Sequence, residues 1–318
     1  MIKPILSLND LASRLGIARD KLEAVAAEVD EHYRTWQKKN HRTGKVRTLH
    51  APSKELKEIQ RRFTRSVLLQ IEISPDVHGG VKGCSPRSNA TPHLRRKWVA
   101  SLDVRDFFPQ VHHDIVLKLF RKELGFGRDV SRLVTRLTTR DGGLPQGAPT
   151  SLALANLILW KPVDVPIAAA AAALDLHYTR WVDDISASGD DPRPIINAIA
   201  KRLSQRGLRM YREKSKFQTK PKLKITPRWQ RQEVTGLVVN GKAPTVSRQR
   251  RDRVRAAIQQ MKNLTDSEFK KEVDSIHGRI VHVAQFNPRA AERLRSRFRV
   301  VKEARLQLSI SGAVDSQL

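Results

Sequence analysis

The chain of 318 residues carries 60 Lys and Arg against 32 Asp and Glu, a formal charge of +28 and a pI near 10.9. An excess of this size implies a polyanionic partner, read as nucleic acid rather than a membrane surface, because no apolar run approaches the roughly eighteen residues of a span and Met1-Ile2-Lys3-Pro4 lacks a signal peptide's apolar core. The single cysteine, Cys84, excludes an internal disulfide, no Cys/His cluster has zinc spacing, and the expected location is the cytoplasm.

Apolar residues at helical spacing (Leu8, Leu11, Leu15, then Leu22, Val25, Ala26, Val29) predict two helices between Ser7 and Trp36, joined near Gly16. Leu11 to Ile17 resembles a helix-turn-helix, but short helical hairpins are far commoner as packing elements than as groove readers. Lys38 to Lys45 is a basic, glycine-containing turn leading to Val46-Arg47-Thr48-Leu49, where the Arg47 guanidinium suits bidentate phosphate binding. Leu56 to Ile71 reads as an amphipathic helix with Leu56, Ile59, Phe63, Val67 and Leu68 facing the core, and Lys57, Arg61, Arg62 and Arg65 left for solvent or phosphate. His78-Gly79-Gly80-Val81-Lys82-Gly83 is glycine-rich, yet no Gly-Lys-Ser/Thr follows, which disfavours a P-loop. Asn89 and His93 lie four apart on a helix start capped by Ser88, suited either to RNA contact or to buried hydrogen bonding.

Val99 to Val104 is a short apolar run that delivers one charge, Asp103, as a buried strand would; Phe107 and Phe108 follow. His112-His113 reads as a solvated pair. Leu144-Pro145-Gln146-Gly147-Ala148-Pro149 is a rigid turn into a helix near Ser151, where Ser or Thr can cap amides. Asp164 to Leu176, with alanine from Ala168 to Ala173, is a strong helix former without evident chemistry. Thr179 to Ser188 alternates as a β-hairpin whose tip carries Asp183 and Asp184. Lys214 follows Gly207 to Tyr211, and Val234 to Asn240 reads as a strand ending in a turn. Arginine-covered helices are expected from Ser247 to Lys262, with Arg250, Arg251 and Arg255, and again from Asn287-Pro288; Ser311 to Leu318 looks loose.

Two adjacent carboxylates in so basic a chain repel each other unless a cation lies between them and their partners. With Asp103 on a neighbouring strand they form a hard oxygen set that suits Mg²⁺ and the two-metal chemistry of nucleotidyl transfer. An isolated Asp-Asp is usually only a polar turn, so the weight rests on the pieces occurring together and in order. That order, an acid-tipped strand, the Gln-Gly turn, the Asp-Asp hairpin and a lysine segment, resembles the palm of a reverse transcriptase. Lys45 to Leu49, Ser88-Asn89-Ala90-Thr91-Pro92-His93 and Val234-Thr235-Gly236 narrow the resemblance to bacterial retron reverse transcriptases.

The resemblance implies an α+β right-hand polymerase: N-terminal helices and fingers over 1–98, palm over 99–240 with a fingers insertion at about 111–143, and a helical thumb over 241–318. It implies two Mg²⁺ ions held by Asp103, Asp183, Asp184 and Val104, with Asp103 and Asp183 carrying most of the coordination. Arg47, Gln146, Gly147 and Lys214 would hold the nucleotide, Phe108 would exclude a 2′-hydroxyl, and Asn89, His93, Thr235, Gly236, Arg250, Arg251 and Arg255 would contact nucleic acid. The implied partners are dNTPs, a cognate noncoding RNA primed from a guanosine 2′-hydroxyl, the branched DNA made on it, and a separate effector in phage defence. Two residues depart from the family: Trp181 replaces the usual Tyr, and Leu152 the usual Pro. An abortive-infection or group II intron-like reverse transcriptase is the nearest rival, and a non-catalytic RNA-binding relic the rival from another class.

Overall fold

The computed structural model describes residues 2–40, 44, 46–210 and 223–315, with side chains to 305. The N-terminal helices are Leu8–Leu15 and Arg19–Ala27; the first is capped by Ser7, whose hydroxyl accepts from the Asp10 amide, and closed by Gly16 at φ 60°. Leu11, Leu15, Leu22, Val25 and Ala26 are all buried, so this helical pair is a packing element. Helical spacing does not persist to Trp36 as expected. Tyr33–Lys39 forms β1, paired antiparallel with β2, Val46–Pro52. Aromatic and β-branched residues favour this extended ribbon, and only Tyr33 of β1 is buried. The helix Lys54–Ser66 starts at a Ser53 cap and buries Leu56, Ile59 and Phe63.

A four-stranded antiparallel sheet lies at the centre, in the order β4-β5-β3-β6, from β3 (Trp98–Asp103), β4 (His177–Trp181), β5 (Asp184–Gly189) and β6 (Lys224–Pro227). The apolar helix Ser151–Leu159, a π turn at Trp160–Asp164 and the alanine-rich helix Val165–Ala173 make one continuous run. Contrary to the expectation that no such run exists, 151–173 is long and apolar enough to cross a membrane by length and composition, but half of its apolar window is buried inside the fold and Asp164 is wholly buried within it. It is packed as a core helix. Thr150 makes no side-chain cap on it; instead the Ser151 hydroxyl donates to the Pro145 carbonyl at 2.7 Å.

Two further corrections concern turns and caps. Val234 to Asn240 is not one strand: β7 (Glu233–Val234) and β8 (Leu237–Val238) form a small hairpin, because Thr235 and Gly236 both adopt positive φ, 46° and 75°. The helix Pro86–Ala90 is capped by Ser85, with Ser88 closing the reciprocal capping box. Beyond residue 247 come the helices Arg248–Gln260, Asp266–Phe286 and Pro288–Asp315. The last continues into the tail expected to be loose. One core cluster joins the N-terminal helices to the sheet and its helices, whereas a second packs the C-terminal helices against Val99, Val234, Leu237 and Val239.

Candidate active site

The strand register builds the site. β3 pairs with β5 so that Asp103 lies directly opposite Asp184, and the Val104 amide donates to the Asp183 carbonyl at 3.1 Å. Directly opposed residues project from the same face of a sheet, so Asp103 and Asp184 share a face, with Asp183 beside them at the hairpin tip. This register sets the places of the three acids on the sheet end and does not rank them as ligands.

The tip is held from beneath by a buried ion pair. Arg180 on β4 is entirely buried and donates to both oxygens of Asp164, at 2.8 and 2.7 Å, to the Asn156 side chain at 2.9 Å, and to the Val182 carbonyl at 2.9 Å. Tyr178 donates its hydroxyl to the same carboxylate at 2.7 Å. Burial opposes the arginine's charge, but Asp164 outweighs it and keeps the guanidinium above its ordinary range. Burial pushes the Tyr178 phenol well above its own. Val182 needs this grip: it adopts φ 60°, a left-handed conformation that a β-branched residue rarely takes.

The glycine-rich loop presses on the same point. A Cβ on Gly79 would lie 2.4 Å from the Val182 amide nitrogen, and one on Gly80 would lie 2.3 Å from Leu152 Cδ2. Leu152 thus fills the space that Gly80 leaves. The His78 amide donates to the Arg180 carbonyl at 2.9 Å, and Asn156 donates to the Gly79 carbonyl at 2.8 Å. Arg180, Asp164, Asn156 and Gly79 were missed from sequence, although paired glycines and two charges inside apolar runs were visible signals.

Above the acids lies a cavity of about 830 Å³, within the range of ligand sites. Asp103, Val104, Asp183 and Asp184 line it together with Arg47, Phe108, Gln146, Gly147 and Trp181. Phe107 is buried in the core, while Phe108 is half-buried, with its ring centroid 5.8 Å from that of Phe107. The Gln-Gly turn is locked to β2 by the His50 amide, which donates to the Gln146 carbonyl at 3.0 Å. Gly147 adopts φ 119°, and a Cβ there would meet the His50 carbonyl oxygen at 3.0 Å. His50, Arg140 and Asp141 complete the wall and were not anticipated; Arg140 is fixed by Asp30 and by the Tyr33 ring, 5.7 Å from its guanidinium.

The remaining expected site residues lie elsewhere. Lys214 is outside the described residues. Asn89 and His93 are buried, at 1% and 0% exposure, and His93 bonds Ser188 at 2.7 Å and Thr179 at 2.8 Å, so a role as nucleic-acid contacts is corrected to one inside the sheet. Burial lowers the His93 pKa to about 3 and keeps the ring neutral. Thr235 donates to the Pro86 carbonyl at 3.3 Å, with Gly236 at an exposed turn beside Arg250. Arg250 and Arg255 are exposed and Arg251 is half-buried on the helix Arg248–Gln260; Arg255 is paired with Asp252 at 2.9 Å.

Among the described residues no three Asp, Glu, His or Cys side chains close around a point as a complete metal cage. Asp103 and Asp184, directly opposed, with Asp183 beside them on the cavity wall, nonetheless offer hard oxygen donors of the kind a divalent ion takes when water and substrate complete its shell.

An antiparallel palm sheet presenting acids at one end, a basic ribbon beyond them and a helical bundle after them define a right-hand, template-directed polymerase. The reverse transcriptase (RNA-dependent DNA polymerase) family profile matches residues 36–247. Retron Mx65 reverse transcriptase of Myxococcus xanthus is 34% identical over 314 residues, covering 91% of this chain and 70% of that protein. Retron Ec86 reverse transcriptase of Escherichia coli is 31% identical over 260 residues, covering 80% and 78%. Retron Mx162 reverse transcriptase of Myxococcus xanthus is 30% identical over 322 residues, covering 89% and 64%. The chain belongs to the reverse transcriptase family and, within it, to the retron enzymes. It is an RNA-directed DNA polymerase of msDNA production, associated with a noncoding RNA and its DNA product, and its family uses divalent metal ions.

Proposed function

We propose that Asp103, Asp183 and Asp184 hold two Mg²⁺ ions, with the Val104 carbonyl beside them, in a cavity that receives the incoming dNTP. The observation that carries this reading is the opposition of Asp103 and Asp184 across two strands, with Asp183 at the adjoining tip. Ions held there by Asp103, Asp183 and Asp184 would supply Lewis-acid chemistry for nucleotidyl transfer from a primer hydroxyl. Arg47 grips the triphosphate as a bidentate donor, Gln146 and Gly147 shape the nucleotide's bed, and Phe108 blocks the 2′ position. Lys214 is assigned to the phosphates by family resemblance alone. Arg250, Arg251 and Arg255 hold duplex backbone on a thumb over 241–318, with fingers over 1–98 and palm over 99–240.

In the cell, the enzyme makes branched DNA primed from a guanosine 2′-hydroxyl of its cognate RNA. That synthesis takes place in the cytoplasm and serves, with an effector protein, in defence against phage. Cells expressing the locus should contain a small satellite DNA whose mobility shifts on RNase treatment, and should resist phage only when Asp183 is intact. An active polymerase without that satellite DNA would favour the abortive-infection relative instead.

A further inference from the structure

At the end of the palm sheet opposite the acids, the register places Trp98 across from Gly189 on one side and Pro227 on the other. Trp98 and Asp103 are the two ends of β3, five residue steps or about 17 Å apart at 3.3–3.4 Å per residue. Beyond Pro227 stands Trp229, 76% exposed and the most exposed large apolar side chain among the described residues. Its ring meets that of Trp98 edge to face, with centroids 5.5 Å apart and planes at 72°. Next to it Arg95, Arg96, Lys97 and Arg228 line a cavity of about 400 Å³, whose other walls include Asp175 and Asp190.

Some surface cations are already engaged. Arg14, Arg19, Arg62, Arg193 and Arg231 are each tied to a carboxylate. The side chains of Arg95, Lys97 and Arg228 make no hydrogen bond or ion pair among the described residues, and all three are exposed. The backbone that presents them is nonetheless pinned. The Arg228 amide donates to the Lys97 carbonyl at 2.9 Å and the Arg95 amide to the Val239 carbonyl at 2.8 Å. Asn240 donates to the carbonyls of Arg228 and Gln230, at 2.8 and 2.7 Å. The buried Gln232 amide donates to the carbonyls of Arg96 and Thr226, at 3.1 and 3.0 Å. An exposed indole on a rigid backbone, flanked by unengaged cations, is a platform whose ordering cost is met before any ligand arrives.

We propose that Trp229, Arg95, Lys97 and Arg228 form a second RNA site, on the far edge of the palm, that takes single-stranded RNA outside the catalytic cleft. Trp229 stacks one base, which any base permits, while the three cations hold the flanking phosphates. Asp175 and Asp190 supply acceptors for the amino edge of a base rather than for phosphate. The inference rests on the reading of this chain as an RNA-templated polymerase, because such a site lets the enzyme keep its own RNA while the template strand moves through the cleft.

The test uses the full chain with its cleft already filled by an RNA–DNA template-primer duplex, into which a fluorescein-labelled 12-nucleotide single-stranded RNA is titrated. Wild type should bind this second RNA. Trp229→Ala should weaken it by about 5- to 150-fold and Trp229→Phe much less, as base–aromatic stacking requires. Arg95→Gln/Arg228→Gln should lower the slope of log affinity against log salt by about 1.4, at about 0.7 for each single-strand phosphate contact. Incorporation on the duplex should be unchanged in every variant, and Trp229, being exposed, can be replaced without unfolding. No second RNA bound by wild type, or Trp229→Ala binding within about twofold of it, would overturn the site. Poly-glutamate bound as tightly as RNA would also overturn it, reassigning the patch to an acidic protein. Absence of incorporation by wild type would strike the polymerase reading itself and is scored separately on the same samples.

Discussion

Arg180 carries a full charge through the centre of the palm, and the reason lies at one backbone carbonyl. Its contacts to Asp164 balance the charge, while its contact to Val182 fixes the left-handed residue that aims Asp183. These two roles separate by experiment. Arg180→Leu leaves Asp164 buried without a counter-charge and should cost about 3–5 kcal/mol of stability. Arg180→Leu with Asp164→Leu should recover most of that stability, yet kcat should stay about 100-fold low with KM for dNTP little changed, because the tip still lacks its anchor. Thermal unfolding and steady-state incorporation on both proteins check this; recovery of kcat with stability would make Arg180 a purely structural residue. The phenylalanine pair is separable in the same way. Both rings line the cavity, but Phe108 is half-buried and Phe107 lies almost wholly in the core, so Phe108→Ala should raise ribonucleotide over deoxynucleotide kcat/KM at least roughly tenfold, whereas Phe107→Ala should lower stability without altering sugar choice. A shift for Phe107 alone would place the register through this motif one residue out.

Among the elements, the helix Pro86–Ala90 and its successor turn are bonded to the sheet through His93. Burial holds the His93 pKa near 3 in the folded chain, against about 6.5 when unfolded, so between those values the unfolded state binds the extra proton. The stabilisation is therefore complete above pH 6.5 and fades as pH falls. Between pH 7.5 and 5 this one residue should cost about 2 kcal/mol, and the urea midpoint of His93→Gln should fall less steeply over that range than that of wild type. Equal steepness would mean that His93 titrates normally. On the helix Arg248–Gln260, Arg255 is already paired with Asp252. That pair is exposed and can yield to phosphate, so replacing Arg250, Arg251 and Arg255 by Gln should lower the salt slope of duplex binding by about 2.7, at about 0.9 for each phosphate. An unchanged slope would show that these arginines face bulk solvent.

The elements also show what a sequence reveals and what it withholds. The Asp183-Asp184 hairpin and the Asp103 strand were legible because period-two alternation and a terminal acid are local signals. The ribbon strand Tyr33–Lys39 was absorbed into a helical pattern because apolar spacing upstream was extrapolated past Ala27. The helix Asp266–Phe286 was not anticipated, although Thr265 and Glu268 form a capping box before Phe269, Ile276, Ile280 and Val283. Asn89 and His93 could be placed neither inside nor outside from sequence, since only the partners Thr179 and Ser188, nearly a hundred positions away, decide it. Arg180 and Asp164 likewise become a pair only once the sheet packs on the helix run.

Across the whole molecule, a formal charge of +28 sits on a fold that gathers Asp103, Asp183 and Asp184 at one end of its central sheet and Arg95, Arg96, Lys97 and Arg228 at the other. Composition foretold the polyanionic partner but not the arrangement, because net charge carries no positional information. The second core cluster reaches β3 at Val99, next to Ala100 of the first, so the C-terminal helices pack against the strand that carries Asp103. If the carboxylates of Asp103, Asp183 and Asp184 drive RNA-templated DNA synthesis, the decisive measurement is Mg²⁺-dependent dNTP incorporation on a primed RNA template. Wild type, Asp103→Asn and Asp183→Asn are to be measured beside their RNA affinities. Wild type should incorporate only with the ion, and each variant should lose at least about 100-fold in rate while binding RNA unchanged. Near-wild-type incorporation by either variant would contradict the assignment of these acids to catalysis.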